Sequence, residues 1–103
     1  MEKDYALQVV GTIKDQLVAT TPKNIILSWG VKEFIAVLYK GMAALRFHVD
    51  GRLFSGNVIV AYTGSDSYEV YLQNYSGTEC IHKEAYFDEL GRVIDQAVGQ
   101  AGT

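Results

Sequence analysis

The chain has 103 residues, of which 49% are hydrophobic and 20% are charged, and its acidic side chains outnumber the basic ones to give a formal net charge of −3. This length predicts a single domain over residues 1–103, with residues 98–103 as a frayed tail. The apolar content is too high for a disordered protein. The acidic balance and the lack of any run of basic residues argue against nucleic acid as a partner.

Cysteine usage and the first residues bear on the compartment. Cys80 is the single cysteine, so no internal disulfide can form, whereas small secreted domains usually depend on several. Residues 1–5 carry mixed charge, where an export signal needs a basic start and an apolar run. The longest mostly apolar stretch, residues 36–45, is interrupted by Lys40 and Gly41 and is shorter than the ~20 residues that span a bilayer. We therefore expect a cytoplasmic protein without a membrane partner.

The N-terminal third predicts a helix, a loop and a strand. Over residues 3–20, apolar side chains recur at the three- and four-residue spacing of one helix face. Pro22 ends this helix, and residues 20–24 form a loop. Residues 25–29 are a short, continuous apolar run, which favours a buried strand with Trp29 in or beside the core. The apolar face of the helix comprises Ala6, Val9, Val10, Ile13 and Leu17.

Residues 31–40 are ambiguous in their period. Phe34, Ile35, Val37 and Leu38 fit a short helix, which is our prediction, although the β-branched and aromatic content also suits a strand. A helix here could lie over one face of a neighbouring sheet.

Residues 42–84 predict an antiparallel meander. Alternation with a period of two places four apolar residues on one face of the first strand, namely Ala43, Leu45, Phe47 and Val49. Asp50-Gly51 then predicts a tight hairpin turn, because this dipeptide adopts positive φ at low cost. The following segments are a strand at 53–63 with a bulge or bend at 55–57, a turn at 63–67, a strand at 68–73, a turn at 74–77 and a strand at 78–84.

The C-terminal segment returns to helical spacing. Its apolar stripe comprises Phe87, Leu90, Ile94, Ala97 and Val98. Asp88 and Arg92 are four residues apart, which predicts an ion pair on the polar face. Gly91 lies on the apolar stripe, so we expect a close backbone approach to the sheet or to the first helix there.

These elements predict an α+β fold of two layers, in which a meander of four to five strands carries both terminal helices on one face. The opposite face then carries Arg46, His48, Glu69 and Tyr71 by alternation. Tyr62 is a further candidate for that face, but its strand is apolar on both sides, so its direction stays open. An apolar stripe on that face requires a cover, either residues 31–40 or a second copy of the chain.

Two polar groups could carry chemistry. His48 lies between Arg46 and Asp50 on one strand face, and a carboxylate can orient an imidazole for acid–base work, although solvated cross-strand pairs are the commoner explanation. Cys80, His82 and Glu84 also alternate onto one face, but a structural thiol is the commoner reading there. No zinc motif or phosphate-binding loop is present, and we expect neither a metal nor a cofactor.

The sequence therefore favours a small, non-enzymatic protein-interaction or accessory module. It would act through an exposed aromatic sheet face or an edge strand, with a protein partner or a second copy as a homodimer. The proposed contact residues are Arg46, His48, Tyr62 and Tyr71. The alternative is a small-molecule-binding domain or minor enzyme that uses a cupped sheet surface with His48, Arg46 and Tyr71. On the first hypothesis, Phe47→Asp unfolds the domain, whereas Tyr71→Ala leaves the fold intact and weakens association.

Overall fold

The computed structural model describes residues 3–99, which form three helices, a short 3₁₀ turn and one antiparallel sheet. The elements in chain order are α1 (Lys3–Thr20), α2 (Lys23–Ser28), β1 (Lys32–Tyr39), β2 (Met42–Asp50), β3 (Ser55–Tyr62), β4 (Tyr68–Asn74), β5 (Gly77–Ala85), the 3₁₀ turn (Phe87–Glu89) and α3 (Leu90–Val98). The five strands pair in the order β1-β2-β3-β4-β5. The predicted α+β class, with an antiparallel meander and a helix near each terminus, is confirmed.

One face of the sheet shares a core with the helices, and we call it the core face. Its buried residues include Leu45, Phe47, Val49, Val58, Val60 and Val70 from the strands, with Val10, Ile13 and Leu17 of α1 and Leu90, Ile94 and Val98 of α3. Alternation along each strand directs the intervening residues to the opposite face, which we call the second face. Of the predicted inward set of β2, Leu45, Phe47 and Val49 belong to this core, and Ala43 is buried as well.

Residues 23–28 form a helix, so the strand predicted at 25–29 is wrong, and so is the loop at 20–24 beyond Pro22. The carbonyl of Pro22 accepts hydrogen bonds from the N–H groups of Ile25 and Ile26, at 3.0 and 3.2 Å. Gly30, with φ of 62°, ends the helical segment in the left-handed conformation. The short helix leaves Trp29 fully buried, with its indole N–H donating to the Asp95 carboxylate at 2.9 Å. Trp29 is thus a core residue, as predicted.

Residues 32–39 form the edge strand β1, so the short helix predicted at 31–40 is wrong and the strand alternative is correct. Lys40 and Gly41, with φ of 52° and 80°, form a two-residue turn that opposes Tyr39 to Met42. Two successive positive φ values match the right-handed twist of a hairpin. This turn makes β1 a hairpin partner of β2 rather than a helix lying across the sheet.

The hairpin between β2 and β3 lies where Asp50-Gly51 predicts it, but its turn is longer than predicted. The N–H of Gly51 donates to the carbonyl of Phe54 at 2.9 Å, and Asp50 is opposite Ser55. Pairing stays regular from Ser55 to Asn57, so the bulge that was one of the two alternatives for these residues is absent. Because the pairing is regular, residues opposite each other on β2 and β3 lie on the same face of the sheet.

The C-terminal segment differs from the prediction at its first turn. Residues 87–89 are 3₁₀, which moves Phe87 off the apolar stripe and leaves it 49% exposed. The same change pairs Arg92 with Glu89, at 2.9 Å, instead of with Asp88. Residues 100–103 of the predicted frayed tail lie outside the described residues, whereas Val98 ends α3 and is fully buried.

Candidate binding surfaces

The structure places Arg46 and Tyr71 in one row across the second face. Cross-strand pairing joins this row in the order Ile35, Arg46, Ile59, Tyr71 and Cys80. His48 belongs to the next row, opposite Asn57, and so shares the face as predicted. Within residues 3–99, no ion pair joins Arg46 or His48 to a carboxylate. The orienting carboxylate that acid–base chemistry at His48 needs is therefore not in place.

Tyr71 is buried on the second face, not exposed as predicted. Only 5% of it is accessible, and it forms a small cluster with Ala44, Ile59 and Ala61. Its hydroxyl donates to Glu69 Oε1 at 2.5 Å. This hydrogen bond, followed by burial, raises the pKa of Tyr71 well above its usual value, because both favour the neutral phenol. Tyr71 is thus a structural residue of this face.

The β1–β2 hairpin covers the apolar stripe of the second face. The rings of Tyr39 and Tyr71 lie 4.7 Å apart, above the small side chains of Ala44 and Ala61. The ammonium of Lys40 lies 5.1 Å from the centre of the Tyr71 ring, a cation–π distance. Residues 31–40 therefore contribute the cover through a tyrosine and a turn lysine, not as a helix laid over the sheet.

The surroundings of His48 are polar and shallow. Asn57 donates to Gln73 at 3.3 Å, and Gln73 donates to Thr78 at 3.4 Å, so amide groups continue the row that His48 begins. The depression above this row is bordered by the fully exposed ring of Tyr75. The depression has a volume of about 620 Å³, but among the described residues that line it Tyr75 is the one large apolar side chain, so it offers hydrogen bonds and little apolar contact to a ligand.

Tyr62 lies on the core face, which separates it from Arg46, His48 and Tyr71. Its ring centre is 5.7 Å from that of Tyr68, and it packs against the main core. Val58 and Val60 point to the helices, which resolves the ambiguity of β3. Because every second residue of a strand points to the same face, Tyr62 points to the helices as well. Tyr62 therefore contributes to a different surface from the one proposed for it.

That surface is a groove of about 860 Å³ between α1, the β3–β4 loop and residues 86–88, which we call the aromatic groove. Among the described residues, its lining includes five aromatic side chains, namely Tyr5, Tyr62, Tyr68, Tyr86 and Phe87. Helix α1 adds Gln8, Thr12 and Gln16, which recur at four-residue spacing along one side. Tyr68 donates to Gln16 Oε1 at 2.6 Å, and burial raises the pKa of its phenol.

Hydrogen bonds hold both loops that border the aromatic groove. Thr63 and Ser67 are joined across the β3–β4 loop at 2.9 Å between their hydroxyls. At the other loop, the Glu89 carboxylate accepts a hydrogen bond from the N–H of Tyr86 at 2.9 Å. The groove is therefore formed before any ligand arrives.

The two edges of the sheet differ in how they are protected. At β5, pairing with β4 is irregular at two places, and Glu79, Lys83 and Glu84 are exposed. At β1, the irregularity is confined to the start, where Glu33 has φ of 61°, and residues 35–39 pair regularly with β2. Charges and bulges discourage a second strand from pairing with an edge. Residues 35–39 contain no charged side chain, and no bulge interrupts their pairing with β2.

The bulges of β5 also separate Cys80 from His82. Cys80 is opposite Tyr71 and packs with the second-face cluster, whereas His82 is opposite Val70 and borders a depression beside α3. The thiol lies 3.5 Å from the backbone carbonyl of His82, not from its ring. The shared face predicted for Cys80, His82 and Glu84 is thus wrong, because the extra residue interrupts the alternation.

The described residues contain no cluster of histidine, cysteine or carboxylate side chains that could hold a metal ion. Over the same residues, no helix is long and apolar enough to cross a membrane. No protein-family model, curated protein or solved structure matches the chain.

Sequence reasoning did not find the aromatic groove or the difference between the two edges. The groove unites residues from three distant segments, so only the spacing of Gln8, Thr12 and Gln16 beside the apolar stripe of α1 could have indicated it. The edge depends on residues 32–39 being a strand, and Ile-Ala-Val-Leu-Tyr was the available signal.

Proposed function

We propose that this chain is a protein-interaction module that self-associates by antiparallel pairing of β1 with β1 of a second copy. The observation that carries the proposal is the unprotected edge at residues 35–39, which is uncharged and regular while the opposite edge of the sheet is bulged and charged. An exposed, apolar edge strand presents unpaired backbone groups that another strand can satisfy. The free thiol of Cys80 supports a reducing, cytoplasmic setting for this association.

The sequence of β1 suits pairing with itself. With Val37 opposite Val37 of the second copy, Ile35 faces Tyr39 and Ala36 faces Leu38. Residues directly opposite in an antiparallel pair share a face of the sheet. Ile35 and Leu38 are 40% and 61% exposed in the single chain, on opposite faces, so pairing would cover apolar area on both. A two-fold axis through Val37 relates the copies and closes the assembly at a dimer.

The experiment compares Leu38→Lys with a matched control. Sedimentation velocity over a concentration series measures the dimer Kd of the wild type, of Leu38→Lys and of Leu53→Lys. Leu53 is 55% exposed and lies in the β2–β3 loop, away from β1, so it tests the effect of losing one exposed leucine elsewhere. Pairing would bury over half of Leu38 in each copy, which corresponds to about 2 kcal/mol per dimer and about a 30-fold weaker Kd.

The expected result is a wild type and a Leu53→Lys variant that dimerise alike and a Leu38→Lys variant that is shifted to monomer. A lysine at an edge also discourages pairing by its charge. A wild type that stays monomeric at all concentrations tested refutes the proposal. Equal weakening by both leucine substitutions assigns the association to another surface.

The geometry gives less support to a ligand site on the second face. Tyr71 is buried and bonded to Glu69, and His48 lies over a shallow row of amides. Of the residues named for that site, Arg46 and His48 offer their side chains from one strand, with no enclosed space between them. A small ligand finds a better-formed place in the aromatic groove.

A further inference from the structure

We propose that the aromatic groove binds a small organic cation, an ammonium ion that carries apolar substituents. Aromatic rings and carboxylates surround the groove, and among the described residues that line it there is no lysine or arginine. The ring faces attract a cation through their quadrupoles, and they also supply the apolar contact that its substituents need. This inference does not depend on the dimer proposed above.

The rings are available to a ligand. Tyr5, Tyr86 and Phe87 are 48%, 47% and 49% exposed, although large aromatic side chains are usually covered in a domain of this kind. Tyr62 and Tyr68 form the floor, where their rings meet at a tilt of 51°. Three exposed rings beside a buried aromatic pair bring several aromatic side chains to one groove, and a site that binds an ammonium ion through its ring faces needs such a group of rings.

The charges favour a cation over a neutral or anionic ligand. Asp66 and Asp88 border the groove from its two loops, and both are exposed. Asp66 is held in the left-handed conformation, with φ of 61°, inside the loop that Thr63 and Ser67 close. The nearby Glu89 already accepts from Arg92 and from the N–H of Tyr86, so the two aspartates are the carboxylates that a ligand can meet.

The groove is also large enough for more than the charged group. Its volume of about 860 Å³ falls within the range of small-molecule sites, which is about 300–1,000 Å³. Gln8 and Thr12 add hydrogen-bonding groups along the α1 wall. A ligand with an ammonium near the aspartates, an apolar body and a polar group toward α1 satisfies each part of the lining.

The test uses choline and its neutral analogue of the same shape, 3,3-dimethylbutan-1-ol, in which carbon replaces nitrogen. Each compound is titrated into ¹⁵N-labelled protein, and amide chemical shifts report both the Kd and the place of binding. We expect choline to shift the amides of residues 86–88 and of the groove side of α1, and to bind about tenfold more tightly than the neutral compound, the gain of a cation–π contact.

Variants assign the effect to the groove. Tyr86→Leu and Asp88→Asn each weaken choline binding by about fivefold, since one ring or one charge is lost. The matched controls are Tyr75→Leu, whose ring is exposed on the β4–β5 turn, and Glu79→Gln, whose side chain is exposed on the edge strand β5. Neither control changes the Kd, and spectra of the free variants verify that each is folded.

Three results would overturn the proposal. Equal binding of the neutral analogue means that the groove recognises shape and not charge. Equal effects of Tyr86→Leu and Tyr75→Leu mean that choline binds elsewhere. No shift at choline concentrations up to about 50 mM, far above the millimolar Kd that a weak cation site provides, means that the groove does not bind organic cations.

Discussion

The contact between Gly91 and Thr21 offers a sharp test of how α3 packs. Gly91 lies in the first turn of α3, and a Cβ built on it overlaps the hydroxyl of Thr21 and lies 2.9 Å from both Cβ and Cγ2 of that residue. A close approach at this glycine was predicted, but its partner is the side chain of Thr21, one residue beyond α1, and not α1 itself or the sheet. Gly91→Ala gains about 1 kcal/mol from helix propensity, but overpacking costs typically about 1–3 kcal/mol and this overlap is severe. We expect a net loss of about 2 kcal/mol in the free energy of unfolding.

Thr21 makes the prediction more specific. Its hydroxyl is buried and, within residues 3–99, has no hydrogen-bond partner. Thr21→Ala removes this hydroxyl and a methyl group, two effects of about 1 kcal/mol that oppose each other, so the single variant is nearly neutral. In the double variant, the Cβ at position 91 no longer overlaps a hydroxyl at position 21, which was its shortest contact. We expect Thr21→Ala to restore at least about 1 kcal/mol to Gly91→Ala, a coupling that independent sites do not produce.

Gly11 provides the matched control, and the assay is unfolding in urea. Gly11 also lies within a helix, but a Cβ there has nothing within 4 Å, so Gly11→Ala gains about 1 kcal/mol by propensity alone. Far-UV circular dichroism and the fluorescence of Trp29, the single tryptophan, follow unfolding at one fixed protein concentration. Equal stabilisation by Gly11→Ala and Gly91→Ala, or a double variant no more stable than Gly91→Ala, refutes the reasoning.

Two further predictions concern Tyr71. The expectation that Tyr71→Ala leaves the fold intact changes with its burial: we now expect a loss of about 3 kcal/mol by urea unfolding, while Phe47→Asp, which buries an unpaired charge, abolishes folding. A Tyr71→Ala variant as stable as the wild type would contradict this. For alkaline pH, a phenol pKa raised by folding means that the stability from Tyr71 is complete below about pH 10 and is lost as the pH rises toward its folded pKa. Wild-type stability therefore falls above about pH 10, and more steeply than that of Tyr71→Phe; parallel curves would show that Tyr71 is not responsible.

Elements with a clear period were predictable from sequence, and short ones were not. The apolar stripe of α1 continues over several helical turns, and the alternation along β2 extends over the 9 residues of the strand. Patterns of this length identify both the element and its buried side. Residues 25–29 span little more than one helical turn, and Trp29 at their end donates a hydrogen bond to Asp95, 66 residues away. Local pattern contains no information about that partner.

Hairpin turns show a similar limit. Asp50-Gly51 carries the stronger sequence signal, yet the two-residue turn with positive φ lies at Lys40-Gly41. The N–H of Leu53 donates to the carbonyl of Val98 at 2.7 Å, so contact with the end of α3 holds the longer loop in place. Tertiary contact thus overrides a favourable dipeptide, as it also does where the bulges of β5 separate Cys80 from His82.

The candidate site was predictable only in part, because alternation identifies which face a side chain lies on but not whether it is buried there. Arg46, His48 and Tyr71 share a face, as their spacing requires. That Tyr71 is buried follows from Tyr39 reaching across Ala44 and Ala61, a contact between strands that are not neighbours. Small residues at the centre of a face leave space for large side chains from its margin. Tyr39 uses that space to cover Tyr71, so this aromatic surface is buried within the single chain.

The edge of β1 and the aromatic groove lie toward different sides of α1, which makes the tests of the two proposals independent. Lys14 lies 4.7 Å from the Phe34 ring and so marks the side of the helix toward β1, while Gln8, Thr12 and Gln16 mark the groove. If the sites do not communicate, choline leaves the dimer Kd unchanged and Leu38→Lys leaves choline binding unchanged. Because linkage between binding equilibria is reciprocal, an effect in one direction requires the same factor in the other. Measuring both directions therefore distinguishes two separate surfaces from a single module in which a ligand controls association.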